Sequence, residues 1–229
     1  MELLQHLLSA DASAPRLSVY NEADGTRMDF SAQTLENWTS KIANMLLEEL
    51  DLEPGTDSRI LIDLPVSWQA AVIALGALAA GVPFDVTDGA AVEDQPRPDS
   101  VAVLFTSPEA CASGTSVPGA DTVLVTQDPF GRGVVESGGE LPVGTIDFGP
   151  TIRFYGDHFY GSTTPLPELF PTDLGAERVL SPGWSDTASF QRAVLEPLAA
   201  GGSAVIVAGL CSADRLEEIA GNEKVTVRA

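Results

Sequence analysis

A chain of 229 residues with 44% apolar and 20% charged residues has the make-up of a folded globular protein, one large α/β domain or two small ones. Its 33 acids and 12 bases leave a formal charge of −21. That field repels nucleic acid and anionic lipid, so neither is an expected partner, and it opposes a triphosphate unless a local basic pocket offsets it.

Residues 1–12, MELLQHLLSADA, place Leu3, Leu4, Leu7 and Leu8 at three-to-four spacing, which predicts a short amphipathic helix. There is no basic lead-in, so the stretch is not read as a signal peptide and the expected location is the cytoplasm. LSVY (17–20) and TRMDF (26–30) read as strands joined by NEADG, whose Asp24-Gly25 is a hairpin signal. After Ser31, a natural N-cap, the residues Leu35, Trp38, Ile42, Met45, Leu46 and Leu50 form the stripe of a helix about five turns long. Pro54 and Gly55 end it.

RILIDL (59–64) reads as a buried strand. The helix that follows, about 67–80, has Ala, Gly and Val on every face, so it must pack closely on both sides. Gly81 stops it, and PFDVTD returns as a strand. Together they make a βαβ unit with a parallel pair and a right-handed crossover. Gly and Pro interrupt this apolar run well short of the ~18 residues of a membrane span. TDGAAVEDQPRPDS (87–100) reads as a surface loop, VAVLFT (101–106) and ADTVLVT (120–126) as strands, and the glycine-rich 127–150 as an irregular excursion with short strands.

ERVLSPG (177–183) reads as strand then turn, and DTASFQRAVLEPLAA (186–200) as a helix that Pro197 must bend or end. Gly201-Gly202 break it before the buried strand SAVIVAG. SADRLEEIAGN is a helix capped by Ser212 with Leu216 and Ile219 inward, and KVTVR is a last strand. LGALAAGVPFDV and EPLAAGGSAVIV share one layout: small-residue helix, glycine stop, buried strand. The expected fold is therefore α/β, with parallel sheets covered by helices. Two related lobes, about 1–106 and 177–229, are joined by an irregular connection over about 107–176 within a single domain.

The run SKIANMLLEELDLEPGTDSRILIDLPVSWQAAVIALGALAAGVPFDV resembles the N-terminal segment of the adenylate-forming enzymes: acyl-CoA synthetases, nonribosomal peptide adenylation domains and luciferases. ERVLSPGWSDTASFQRAVLEPLAAGGSAVIVAGLCSADRLEEIAGNEKVTVRA resembles a later segment of the same enzymes. The chain is also similar to a group of short actinobacterial proteins that match only this part of them. The family carries a Gly/Ser/Thr-rich phosphate loop ending in Gly-x-Pro-Lys between the two matched segments. The corresponding place here reads Tyr160-Gly161-Ser162-Thr163-Thr164-Pro165-Leu166. Pro165, which has no N–H, replaces the expected glycine, and the lysine is absent. The sequence ends at Ala229, before the family's adenine-binding aromatic motif, ribose-binding aspartate and catalytic lysine.

Ser162, Thr163 and Thr164 are the candidate cofactor-binding residues, as a degenerate phosphate loop or as an ordinary turn whose hydroxyls satisfy local backbone. Asp157-His158 offers an acid beside a base, but adjacent residues rarely orient one another, and no Gly-x-Ser-x-Gly motif supplies a nucleophile. Cys211 precedes a helix N-terminus, which would activate a thiol, while Cys111 and Cys211 also suit the role of small core hydrophobes. Two cysteines and two histidines, all scattered, argue against a zinc site and leave no expected metal. GRGVVESGGE (131–140) fits no nucleotide fingerprint and reads as a flexible loop; Trp68, Trp184 and Phe190 read as core anchors.

The expected function is that of a non-catalytic, small-molecule-binding or protein-interaction relative of these enzymes, with no catalytic residue and no resident cofactor, ATP and AMP being disfavoured. The alternative is an enzyme component whose site a partner chain completes. The end at KVTVR leads us to expect an uncovered edge or face, hence a homo-oligomer or a protein partner.

Overall fold

The computed structural model describes residues 1–89 and 100–229; within the expected 87–100 loop, residues 90–99 lie outside the described residues. In chain order the elements begin with α1 (Gln5–Asp11), β1 (Pro15–Asn21), β2 (Thr26–Ser31), α2 (Ala32–Glu48), β3 (Arg59–Asp63), α3 (Trp68–Ala80) and β4 (Phe84–Thr87). Then come β5 (Val101–Thr106), α4 (Pro108–Ala112), β6 (Asp121–Leu124), β7 (Thr145–Asp147), α5 (Phe148–Ile152) and α6 (Leu166–Leu169). The last are β8 (Arg178–Ser181), α7 (Thr187–Phe190), a π-helical turn (Gln191–Leu195), α8 (Glu196–Ala199), β9 (Ser203–Ala208), α9 (Ala213–Asn222) and β10 (Val227–Arg228).

The chain divides into two compact units, residues 1–36 with 164–229 and residues 37–163. This division runs differently from the sequence-order lobes of about 1–106 and 177–229. The β1–β2 hairpin does not stay with the βαβ unit that follows it, because β1 pairs in parallel with β9 from the far end of the chain.

In the first unit the sheet order is β10-β8-β9-β1-β2, parallel except for the β1–β2 hairpin. β9 is buried along its whole length, as expected of a strand covered on both faces. Val205 and Val207 pack with Tyr20, Leu180, Ile219 and Ala220 beneath α9. Pro197 does not end its helix. The turn before it is π-helical, with the Glu196 N–H bonded to Gln191 O, and helix continues on both sides. A proline ring clashes with the carbonyl four residues back, and a π-turn's extra residue relieves that crowding.

One row of polar groups interrupts the α9 face of this sheet. The Glu223 carboxylate is 8% exposed, at the end of α9. Tyr20 donates its hydroxyl to it at 2.5 Å, Arg27 pairs with it at 2.8 Å, and Arg178 pairs with its other oxygen. Arg178 also donates to Ser18 Oγ at 2.8 Å and to Ser203 Oγ at 3.0 Å, and Ser18 donates to Asp29 at 2.6 Å. Strand register places these side chains together, since Ser18 opposes Asp29, Tyr20 opposes Arg27 and Arg178 opposes Ser203. Burial alone would raise the Glu223 pKa above its ordinary 4.5; the bonds from Tyr20, Arg178 and Arg27 outweigh it and hold the carboxyl below that value. Burial and the Glu223 carboxylate push the Tyr20 phenol up.

In the second unit the sheet is fully parallel, in the order β4-β3-β5-β6-β7. α3 makes the crossover from β3 to β4, with Ser67 accepting from the Ala70 N–H at its start and Gly81 left-handed at its stop. Almost all of α3 is buried. A Cβ on Gly76 would lie 2.2 Å from the Ile42 side chain of α2, so the small residues allow two helix backbones to approach closely. Ser31 accepts from the Thr34 N–H at the start of α2, the cap its sequence implies.

The 131–140 stretch is not the loose loop its composition suggests. The buried Asp147 carboxylate, at the end of β7, accepts from the Val134 N–H at 3.0 Å and the Val135 N–H at 3.4 Å. Glu136 accepts from the Gly133 N–H at 2.8 Å and pairs with Arg153. A Cβ on Gly149 would lie 2.4 Å from Gly133 N, so α5 and this loop meet backbone to backbone. The glycines serve close approach, and the anchoring acid lies too far along the chain for a local reading to find.

Two outcomes follow. Glu223→Ala leaves the partly buried Arg178 and the buried Tyr20 hydroxyl without their acceptor, while the exposed Arg27 keeps Asp29, and should cost about 1–3 kcal/mol in denaturant unfolding. Because the folded pKa of Glu223 is depressed, the stability this residue supplies is present above pH 4.5 and is lost as pH falls through the folded value. In a pH series of unfolding midpoints, the gap between wild type and Glu223→Gln should therefore narrow on the acid side. Asp147→Ala should speed amide hydrogen exchange at Val134 and Val135 while leaving β8 and β9 protected.

Candidate functional site

The expected phosphate-loop residues fall where the chain passes from one unit to the other. Ser162 and Thr163 end the second unit and Thr164 begins the first stretch of return. Ser162 and Thr164 are exposed and Thr163 is buried. On the first-unit side, Pro165 is the N-cap of the one-turn helix α6, and the Leu166 N–H is spent on Leu3 O at 3.0 Å. On the second-unit side, Lys41 of α2 reaches the preceding stretch, donating to Tyr155 O at 2.7 Å and pairing with Asp157 at 2.8 Å. Asn44 donates to His158 O at 3.0 Å. The fold thus brings one of the two lysines to this stretch and commits it to a carboxylate and a carbonyl, a placement that sequence spacing does not reveal.

Asp157 and His158 do not form a dyad. The Asp157 carboxylate is on Lys41, both residues are exposed, and α2 holds His158 by its backbone. Cys211 is partly buried against the α9 cluster, and its thiol pKa is pushed up, first by burial and then by Glu22. The expected helix activation loses to these effects. Cys111 lies partly buried on α4. Trp68 packs on Trp38 with centroids 4.9 Å apart, and Trp184 meets Phe190 edge-on at 4.9 Å, all as core anchors.

The cations of this acidic chain are heavily committed. Arg27 and Arg178 hold Glu223, Arg59 holds Asp85, Arg132 holds Asp128, Arg153 holds Glu136, Arg215 holds Glu22 and Glu218, and Arg228 holds Glu217. Arg16 donates to the carbonyls of Gly201 and Gly202. Among the described residues, no group of three His, Cys, Asp or Glu could hold a metal ion, and no helix is long and apolar enough to cross a membrane.

The second-unit sheet has a feature that sequence reasoning missed. Its strand order reverses direction between β3 and β5, and open α/β sheets receive ligands beyond the carboxyl ends of their strands near such a reversal. At that edge the register aligns Thr87, Asp63, Thr106, Leu124 and Asp147 in one row on one face. Thr87 donates to Asp63 at 2.5 Å. The chain leaving β6 is tied to the first turn of α3, where Gln69 donates to Thr126 O at 3.1 Å and Asp128 O at 2.9 Å. Beside this tie an open cleft of about 480 Å³ remains. Pro108 and Glu109 at the start of α4, Thr126–Asp128 beyond β6, and Val134, Ser137 and Gly139 of the Asp147-anchored loop line it. The missed signal was the polar residue closing each of several apolar strands: Asp63, Thr87, Thr106 and Asp147.

No family model matches the chain. A curated protein of Mycobacterium tuberculosis, the TIGR03089 family protein, is 33% identical over 243 residues, covering 98% of this chain and 95% of its own. Among solved structures, an acyl-CoA synthetase of Brucella canis superposes with a TM-score of 0.75 at 16% identity, covering 100% of this chain and 47% of that one. An acetoacetyl-CoA synthetase of Streptomyces lividans gives 0.71 at 16% identity, covering 98% and 41%. A benzoate CoA ligase of Burkholderia xenovorans gives 0.67 at 15% identity, covering 100% and 50%. The chain therefore spans half or less of the length of these enzymes and has the fold of part of their N-terminal domain. By its near full-length match to the mycobacterial protein, the chain belongs to the TIGR03089 family.

Proposed function

We propose that the chain is a non-catalytic relative of the adenylate-forming enzymes that binds a small molecule and acts without ATP. The observation that carries this reading is the use of the backbone at 165–166. Pro165 has no N–H to offer and the Leu166 N–H is already bonded to Leu3, so two amides that would face a phosphate in a nest of this type are absent or spent. Lys41, which reaches the stretch leading into this turn, is neutralised by Asp157. Adenylation depends on neutralising phosphates and aligning a carboxylate with one of them, which this arrangement does not support.

The competing reading is an enzyme component completed by a second polypeptide; the half-length coverage of the acyl-CoA synthetases favours it. The mycobacterial relative, matched over nearly all of its length, favours a protein that works at this size. ATP–pyrophosphate exchange with a panel of carboxylic acids should show no turnover with the chain alone. Millimolar ATP should raise its melting temperature by less than about 1 °C, whereas a site filled at a hundred times its dissociation constant gains about 2.7 kcal/mol and several degrees. Exchange activity or a shift of that larger size overturns the reading.

Self-association is the second element of the proposal. Phe130, Val135 and Phe154 are exposed on the second unit, on segments joined by the Arg153–Glu136 pair and the Gly149–Gly133 contact. The charge of −21 opposes pairing of copies, so association should strengthen as salt screens it. Light scattering should give a mass above 24.0 kDa at about 0.5 M salt, where the screening length is only a few ångströms. A monomer at every salt concentration contradicts it.

A further inference from the structure

We infer that α9 and β10 form a hinged cover on the sheet of the first unit, latched by the Glu223 side chain and able to open as one piece while the other strands stay paired. The apolar hold of this cover is slight. Of the ten residues of α9, Ile219 and Ala220 are buried, with Leu216 and Val225 partly so. They pack on Tyr20, Leu180, Val205 and Val207. β10 is a two-residue edge strand on β8, where the Thr226 N–H bonds to Arg178 O and the Ala229 N–H to Leu180 O. The link from β9 to α9 carries Gly209 at φ 91° and a fully exposed Leu210, so the chain can turn there without strain and without pulling a side chain from the core. Segments that bury few apolar side chains are the ones that open locally.

Polar ties complete the hold, and they are unequal. Arg228 pairs with Glu217, which ties the cover to itself, and Arg215 pairs with Glu22 at 3.0 Å in a partly exposed bridge. Glu223 is buried and reaches three strands at once, through Tyr20 of β1, Arg27 of β2 and Arg178 of β8. The sheet side of this network is satisfied without it. Arg27 keeps Asp29 and donates from Nε to the Tyr20 hydroxyl at 2.9 Å, and Arg178 keeps Ser18 and Ser203. The network therefore parts at the carboxylate. When Glu223 leaves, the hydrogen-bonded strands remain joined, and the face formed by Tyr20, Leu180, Val205 and Val207 is uncovered together with the β8 edge.

The test is native-state amide hydrogen exchange of the full chain, read by NMR at neutral pH. In the wild type, Ile219, Val225 and Thr226 should share one level of protection, at least about tenfold below that of Ile206 and Val207 in β9. Glu223→Gln should lower the protection of the three cover amides about tenfold further, the worth of one charge-assisted hydrogen bond. Glu217→Gln makes the same change of charge in an exposed pair and should lower it by less than about threefold. Val19 alternates with Tyr20 along β1 and so lies on the opposite face of the sheet from the cover. Val19→Ala should therefore lower protection in β9 by about tenfold or more while leaving the cover amides within about twofold. Equal protection of the cover and β9 in the wild type, equal loss in both from Val19→Ala, or equal effects of Glu223→Gln and Glu217→Gln would each overturn the inference. So would a Glu223→Gln chain whose first unit no longer folds, because the strands would then depend on the same carboxylate as the cover.

Discussion

Glu223 is a carboxylate kept charged out of water, and the first unit is arranged around that requirement. Two arginines and a tyrosine from three different strands converge on it, and the serines and aspartate behind them satisfy the remaining donors. A buried ion pair adds little net stability against a well-packed apolar substitute, but losing one partner is costly. The network therefore acts chiefly as a registry device: β1, β2, β8 and β9 must pair as they do for Ser18, Tyr20, Arg27 and Arg178 to meet one carboxylate. The same economy runs through the chain. With 12 bases against 33 acids, cations are scarce, and the structure spends most of them on its own carboxylates. A protein that uses its arginines this way has few left for a triphosphate.

The second unit rests on close backbone approach. α3 is built of small residues because α2 crosses it at Gly76 and the β3–β4 pair lies against it. Gly133 and Gly149 repeat the device where the loop beyond β6 meets α5. The loop beyond β6 is pinned at Gln69 and at Asp147, so the cleft it walls has a fixed frame.

Much of this was legible in the sequence. The stripe from Leu35 to Leu50, the Ala/Gly helix from Trp68, the Asp24-Gly25 hairpin and the Ser212-capped helix all have strong local periodicity or turn chemistry, and the structure has each of them. The α/β class and the likeness to part of an adenylate-forming domain followed from the same segments. What local pattern did not carry was long-range pairing. That β1 joins β9, that Lys41 meets Asp157, and that Asp147 anchors Val134 are contacts between distant residues, and no spacing rule encodes them. Pro197 shows a different limit: it was expected to bend or end the helix, and a π-turn before it lets helix continue into α8. The cleft was missed because its parts lie on three segments, each unremarkable alone.

The enzymes that share this fold are at least twice as long, and the turn at 160–166 is where the likeness meets its sharpest departure. The most direct test of the central claim is to follow the amide resonances of Gly161–Thr164 and Leu166 while magnesium and ATP are titrated into the full chain to millimolar concentration. The account predicts no saturable change at these positions. Saturating shifts centred on Thr163 and Thr164 would contradict it and return this turn to phosphate binding.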